Sequence, residues 1–370
     1  MTPRSTRAIR APSVPARPAP SRLARLGFSF AAPVAGILVG WIAFACLVWI
    51  YGETPRAIAV QLIAGTWGTA YGTGQVLYKA TPLLLTGAAV DLALRAGLFN
   101  IGAEGQLTVA AAATAAAGAS LPASTSPWIA LPALLLVASA SGALWATPPA
   151  LLRSGLAGSE VISSIMMNQI AYGAVGLALA RGLALAGTAR SADVVAGGRL
   201  ARLDALGWTS MRGSAVSLAL PLAVGVLLLV SVWLKRSRVG REVVLVGLGP
   251  NACAAERIPV ARRVTVAFMA SGGVAGLAAV APVLGYKGYY EGGLGAGAGF
   301  GGIAVAMLGR GRPLGLALAA LLFGTLDQGG LAINAYVPRE VTTVIEGVVI
   351  VAVSLSDARF RRALARAQGT

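Results

Sequence analysis

The 370-residue sequence has no histidine and only two cysteines, Cys46 and Cys253, which stand far apart. Without imidazole, and without cysteines at ligand spacing, zinc sites, haem sites and Ser/His or Cys/His catalysis are not expected. Charge is scarce too, at 12% of residues, where soluble chains carry roughly 25%. Acids are the scarcer sign: 13 Asp and Glu stand against 30 Lys and Arg, for a net charge of +17. No Gly-x-x-x-x-Gly-Lys-[Ser/Thr] sequence occurs, so a P-loop for nucleotide phosphates is missing as well.

What remains is apolar. Hydrophobic residues make up 56% of the chain, and runs of about twenty of them recur along most of its length, the reach of a helix across a hydrocarbon core about 30 Å thick. Because backbone polar groups cannot face lipid unpaired, these runs predict an all-α polytopic membrane protein with about ten transmembrane helices. The expected spans are 28–51, 75–95, 98–119, 127–151, 160–183, 214–234, 264–285, 299–309, 313–327 and 336–356. The eighth and ninth are separated by "GRGRP" at 309–313, whose arginines and proline suit a cytosolic turn better than lipid.

The basic residues lie between or beyond the apolar runs, the positive-inside pattern, rather than on one continuous face with stacking aromatics. A lipid environment is therefore expected and a nucleic-acid partner is not. An even number of spans places both basic ends in the cytosol: a disordered tail at 1–27 and a short tail at 357–370, flanking a membrane domain at 28–356. The first apolar stretch is too long for a cleaved signal and reads as a span. The basic segment 235–263 falls inside and the loop 184–213 outside, although that loop holds Arg190, Arg199, Arg202 and Arg212. Long loops obey the charge rule weakly. Forty-eight glycines, including a Gly272-x-x-x-Gly276 spacing, point to close helix packing.

Polar side chains within spans are costly and so are candidates for function. In "RAGLFNIGAEGQL" (95–107), helical spacing puts Asn100 and Glu104 on one face and Gln106 on another. In "SEVISSIMMNQIAYG" (159–173), Glu160, Ser164 and Asn168 recur at i, i+4, i+8 as a polar stripe. For both sets two readings stand: lining a polar path, or hydrogen-bonding helices together. Phe99, Tyr172 and Phe300 offer flat apolar faces beside them. Asp91 and Arg95, spaced i, i+4, read as an ion pair near the cytosolic end of the second span. In "GLGPNACAAERIPVARR" (247–263), Pro250 and Asn251 suit a helix start and Pro259 a stop.

Taken in order, "RAGLFNIGAEGQL", "GSEVISSIMMNQIA", "VGLGPNACAAERIPV", "GAGFGGIAVAMLGRGRPLG" and "AALLFGTL" resemble the permease subunits of bacterial ABC importers in the branched-chain amino acid, ribose and nucleoside group, most of all the simple-sugar and nucleoside permeases. The resemblance runs from about residue 75 to 356. It implies a transport subunit of the inner (plasma) membrane rather than an enzyme, with no catalytic residue, metal or cofactor of its own. ATP and magnesium would be bound by a partner ABC ATPase. Further implied partners are a second homologous permease, giving a heterodimer, and an extracytoplasmic solute-binding protein or lipoprotein.

It also implies that residues 247–260 form the coupling helix that docks on the ATPase, with Gly247, Pro250, Ala252, Ile258 and Pro259 matching the family pattern beside Asn251 and Glu256. Gly249 stands where an asparagine is usual, and Arg257 where a glycine is usual. The expected solute is a nucleoside or simple sugar. The alternatives are branched-chain amino acid uptake, an ion-coupled secondary transporter using Asp91 or Glu104, and a membrane enzyme, which the missing histidine disfavours.

Overall fold

The computed structural model describes residues 38–352 except 157, 339, 342, 346, 349 and 350. The expected tails at 1–27 and 357–370, the start of the first span and the end of the last lie outside the described residues. Among the described residues the chain is helical, with isolated bridges in place of strands. Its helices are α1 (Leu38–Ile50), α2 (Pro55–Thr66), α3 (Ala70–Arg95), α4 (Ala103–Ser120), α5 (Pro127–Trp145), α6 (Thr147–Gly155) and α7 (Glu160–Ala178). After a long loop follow α8 (Ala219–Arg236), α9 (Arg238–Leu248), α10 (Pro250–Ala255), α11 (Val260–Leu277), the single turn α12 (Val280–Pro282), α13 (Ala298–Gly309) and α14 (Pro313–Ile333).

Among the described residues, six helical stretches are long and apolar enough to cross a membrane: Ala70–Arg95, Pro127–Gly155, Glu160–Leu183, Ala219–Arg236, Val260–Lys287 and Pro313–Ile333. Each overlaps an expected span. Two of them are central. In the apolar windows of α3 and the Val260–Lys287 stretch, 83% and 67% of residues are buried, against 22–28% for α5–α6, α7 and α8. Those three outer helices turn side chains such as Leu136, Leu144, Ile162, Ile170 and Leu229 outward, where lipid satisfies them.

Close approach, rather than an apolar stripe, holds the centre together. Where α5 crosses α11, a methyl group added at Gly142 would strike the Gly272 carbonyl, and one at Gly276 would strike the Ala138 carbonyl. In lipid such contact is the main source of helix association, because no water is released. The Gly272-x-x-x-Gly276 spacing is thus a packing device. At the chain's start α1 and α2 form a bent pair, turned by 113° through Gly52 in a left-handed conformation (φ +80°).

One crossing starts later than the sequence expectation. Helix was expected from 98, but α4 starts at Ala103, and residues 96–102 run as irregular backbone. The short eighth span expected at 299–309 is met by α13, which has only 12 residues, about 18 Å, and is preceded by an irregular stretch from Gly288 to Gly297. Non-helical backbone inside a membrane protein is tolerated where protein or a cavity surrounds it, and both stretches meet that condition below. The break at "GRGRP" falls as expected, between α13 and α14, with Arg310 and Gly311 both at positive φ.

The loop 184–218 lies across the helix ends as short turns. It is stitched to the chain beyond α12 by Val194 N–H to Gly288 O (2.7 Å), Leu200 N–H to Leu284 O (2.9 Å) and Ser191 N–H to Tyr290 O (2.7 Å). Three of its four arginines are spent locally. Arg190 and Arg199 face Asp193 at 3.5 and 3.9 Å, and Arg202 donates to the Tyr286 carbonyl at 2.9 Å. This engagement is the physical reason a basic loop need not behave as free positive charge.

Candidate functional site

Helix α3 is capped by Thr69, whose side chain accepts from Gly72 N–H at 2.9 Å, and its first turns carry Tyr71, Gln75, Tyr78 and Lys79. These side chains enter a cavity of about 1020 Å3 at the end of the molecule where the loop 184–218 lies, since Gly74 packs against Ser214 and Val216 of that loop. The opposite wall is Tyr286, the irregular run after Glu291 and Phe300 of α13, and the side is closed by Asp327 and Gln328 of α14. Tyr78 and Tyr286 tilt toward each other with ring centroids 5.2 Å apart, and Gln75 donates to the Tyr71 hydroxyl at 3.0 Å.

The irregular wall has a simple local cause. Gly293, Gly295 and Gly297 all have φ between +80° and +88°, which residues with a Cβ avoid. A methyl group added at Gly292, Gly293 or Gly297 would meet nothing within 4 Å, so bare backbone faces open space. Such a wall offers uncharged peptide groups to a solute, beside aromatic faces and amide, carboxylate and ammonium tips.

Beneath the cavity sits a buried polar layer, about halfway along α3: Thr86 Oγ1 donates to the Ala298 carbonyl at 2.8 Å, which fixes the level at which α13 begins. The Glu104 carboxylate, fully buried, accepts from Gly297 N–H and Gly299 N–H at 2.8 Å each, and from the Tyr172 hydroxyl at 3.3 Å. An acid from α4 therefore satisfies the free N–H groups and positive dipole end of α13. Next to it Asn100 donates to Gln106 Oε1 (2.9 Å) and Ser271 Oγ (2.8 Å), Gln106 donates back to Asn100 Oδ1 (3.1 Å), and Ser271 donates to the Ala89 carbonyl (2.6 Å). Asn168 closes the gap before α4, accepting from Gly105 N–H (2.9 Å) and donating to the Ile101 carbonyl (3.0 Å).

This arrangement revises the sequence grouping. Asn100 and Glu104 do not share a helix face, because Asn100 precedes α4; it pairs with Gln106, while Glu104 turns toward α13. Asn100, Glu104, Gln106, Ser164 and Asn168 are all buried, and only Phe300 among the expected path residues borders the cavity. Tyr172 is 40% exposed, joined to the layer through its hydroxyl. Glu160 pairs with Arg153 at 3.1 Å, the Ser164 hydroxyl is buried without a partner among the described residues, and Phe99 is half-buried. Lys79, Gln75, Asp327 and Gln328 were missed. Each is a polar residue in an apolar helix, so the criterion that selected Asn168 would have found them.

At the other end of α3, Arg95 Nε donates to Asp91 Oδ2 at 2.8 Å, the pairing expected from spacing, and Arg95 Nη2 donates to the Gly311 carbonyl in the α13–α14 turn. The turn after it, with Gly97 at φ +72°, packs backbone to backbone on Gly247: a methyl group added at Gly97 would lie 3.2 Å from Gly247 Cα. Gly247 lies in the last turn of α9, just before α10. Helix α10 begins at Pro250 after Gly249, which supplies no side-chain cap, where an asparagine would have one to give. It ends with Arg257 N–H to Ala254 O (3.1 Å) and Ile258 N–H to Cys253 O (2.9 Å), the bonds of a Schellman end. Arg257 fills the left-handed position of that end, at φ +59°, which accounts for glycine being usual there. Asn251, Ala252, Glu256, Arg257 and Pro259 are exposed, and Ile258 is half-buried. Nearby, Glu242 is held between Arg238 (2.9 Å) and Arg263 (2.5 Å). Its carboxyl is shifted below the ordinary glutamate range, first by the hydrogen bond from Arg238 and then by that from Arg263.

The family of branched-chain amino acid transport system permease components matches residues 72–354. The chain is 32% identical over 335 residues to the guanosine ABC transporter permease protein of Bacillus subtilis, covering 88% of this chain and 93% of that one. It is 33% identical over 355 residues to the glucose ABC transporter permease protein of Haloferax volcanii, covering 93% and 90%. To the nucleoside ABC transporter permease protein of Lactococcus lactis subsp. cremoris it is 27% identical over 326 residues, covering 86% and 88%. No solved structure matches.

Proposed function

The chain belongs to this permease family and is a multi-pass integral protein of the plasma membrane; from that premise we propose that it forms the translocation path for nucleosides or a simple sugar in an ATP-driven importer. The cavity carries this reading. Its volume, about 1020 Å3, is at the upper end of small-molecule sites, and paired tyrosines beside bare backbone suit a flat ring bearing hydroxyls. The relatives named for guanosine, nucleosides and glucose support the same class. The path below runs past Phe300, Glu104, Tyr172 and the Asn100–Gln106 and Asn168 contacts toward the α10 end.

In this proposal ten crossings arise from the six long helices together with the α1–α2 pair, α4, α13 and the chain beyond 338, with both termini in the cytosol. The membrane domain is 28–356 between two tails, the loop 184–213 is external, and the segment 235–263 is cytosolic. Exposed α10 docks on a separate ABC ATPase, which binds ATP and magnesium. A second, distinct permease completes a heterodimer, and a solute-binding protein delivers from outside. An ion-coupled mechanism is disfavoured because Asp91 and Glu104, the acids it would use, are engaged by Arg95 and by the start of α13.

The test is uptake of labelled guanosine, pentoses and glucose in a deletion strain, together with co-purification of an ATPase through α10. Support is ATP-dependent uptake of one of these solutes, with the ATPase released by Ala252→Asp. Uptake that persists without any ATPase and collapses with the proton gradient would overturn the proposal.

A further inference from the structure

We propose that α13 is the lever joining the ATPase-facing segment to the cavity, with Arg95 and Glu104 as the positioning residues that hold its two ends. The inference rests on the importer reading above and adds a route within the chain that the reading does not specify.

Helix α13 runs alongside the inner half of α3 without slack. An added methyl group at Gly302 would strike Thr86, one at Gly87 would strike Val305, and one at Gly309 would fall 2.7 Å from Leu316 Cδ2. Its first residues continue the glycine wall of the cavity, and Glu104 grips them through Gly297 N–H and Gly299 N–H. Its last residues enter the turn whose Gly311 carbonyl is gripped by Arg95. Arg95 in turn is oriented by Asp91, and the turn that follows it is the seat of Gly247, in the last turn of α9 and three residues before α10 begins at Pro250.

A push on α10 thus meets backbone packed on backbone at Gly247 and Gly97, then a planar guanidinium bound on two sides, then a helix about 18 Å long. At the far end of that helix lies a wall of glycines in left-handed conformations, the most easily remodelled backbone in the cavity. Coupling by packed elements needs such a contiguous element with two arrangements. The α13 rod, fixed at both ends to different helices, meets the first requirement, and the glycine wall provides the second.

The experiment uses the full permease complex, purified with its ATPase partner, in lipid vesicles. Cys46 and Cys253 are replaced by serine, and Ala296→Cys places a thiol on the exposed glycine wall. The readout is the rate of maleimide labelling at that thiol with and without ATP and vanadate, alongside ATP hydrolysis. It needs no knowledge of the solute. The parent complex is expected to show an ATP-dependent change in labelling of about fivefold or more. Arg95→Lys keeps the charge but cannot bond Asp91 and Gly311 together in the same fork. It is expected to keep hydrolysing ATP while the labelling change is lost, a split that mere destabilisation would not produce. Glu104→Gln tests the other end with the same expectation and serves if Arg95→Lys fails to accumulate. A labelling change retained in either accumulating variant, or absent in the parent, would overturn the lever. Failure of any ATPase to co-purify would instead strike the importer reading, and the lever with it.

Discussion

The two ends of α3 are built on opposite plans. At its beginning Tyr71, Gln75, Tyr78 and Lys79 stand around a cavity, with space between their tips and the facing glycine wall. At its end Asp91 and Arg95 are locked to each other and to the α13–α14 turn, and the chain folds back so tightly that Gly97 touches Gly247. Between them lies the layer of Asn100, Gln106, Ser271, Asn168 and Glu104, nearly every hydrogen-bonding atom of which has a partner in the chain. The difference separates polar groups that can meet a solute from polar groups already committed to the fold. Residue type does not make that distinction; surrounding space does.

Breaking the middle layer should have the largest effect on stability. Asn168→Leu leaves Gly105 N–H and the Ile101 carbonyl unpaired in the interior, and is expected to lower stability by about 2 kcal/mol, read as a fall in thermal unfolding temperature in detergent. An unchanged midpoint would show that this layer is less committed than its hydrogen bonds indicate. At the cavity end the expected effect is on transport instead. Tyr78→Ala should raise the KM for guanosine or glucose uptake by up to about tenfold, with the unfolding midpoint little changed. If the midpoint falls as well, the cavity tyrosines belong with the core.

Two smaller effects sharpen the α10 end. Arg257→Gly removes a side chain from a left-handed position and should stabilise by about 1 kcal/mol, unless the ATPase grips the arginine, in which case co-purification weakens. The sign separates strain from contact. For Glu242, whose carboxyl lies below its unfolded value, the stabilisation is present above the unfolded glutamate range and lost as pH falls through the folded value. The midpoint difference between the parent and Glu242→Gln should therefore be full at pH 7 and close below about pH 4. A gap that widens on acidification would contradict the pairing.

Much of the fold was legible in the sequence because hydropathy reports long spans directly: all six long helices overlap expected ones, and the Asp91–Arg95 pair follows from its spacing. The irregular start of α4 was not legible. An apolar, small-residue segment reads as helix from its first residue, and nothing in "FNIG" states that tertiary partners will take over the backbone. That error had a consequence for the site, since assuming helix at 98 placed Asn100 beside Glu104 when the turn sends them to different partners. The cavity residues were obscured differently. Tyr78 and Tyr286 are far apart in sequence and meet only in three dimensions, whereas Lys79 and Asp327, polar residues in apolar helices, were within reach of the criterion that selected Asn168.

The glycine crossing of α5 and α11 bears on how the molecule assembles. Five helices with a long loop come between those two in the chain, and the contact of Gly142 with Gly272 and Gly276 cannot form until the later partner has been inserted. During synthesis the notched face of α5 stays against lipid or a temporary companion. The central pair of α3 and α11 likewise stays incomplete until nearly three quarters of the chain has entered the bilayer. A chain truncated before Val260 would hold half of each notch and close neither.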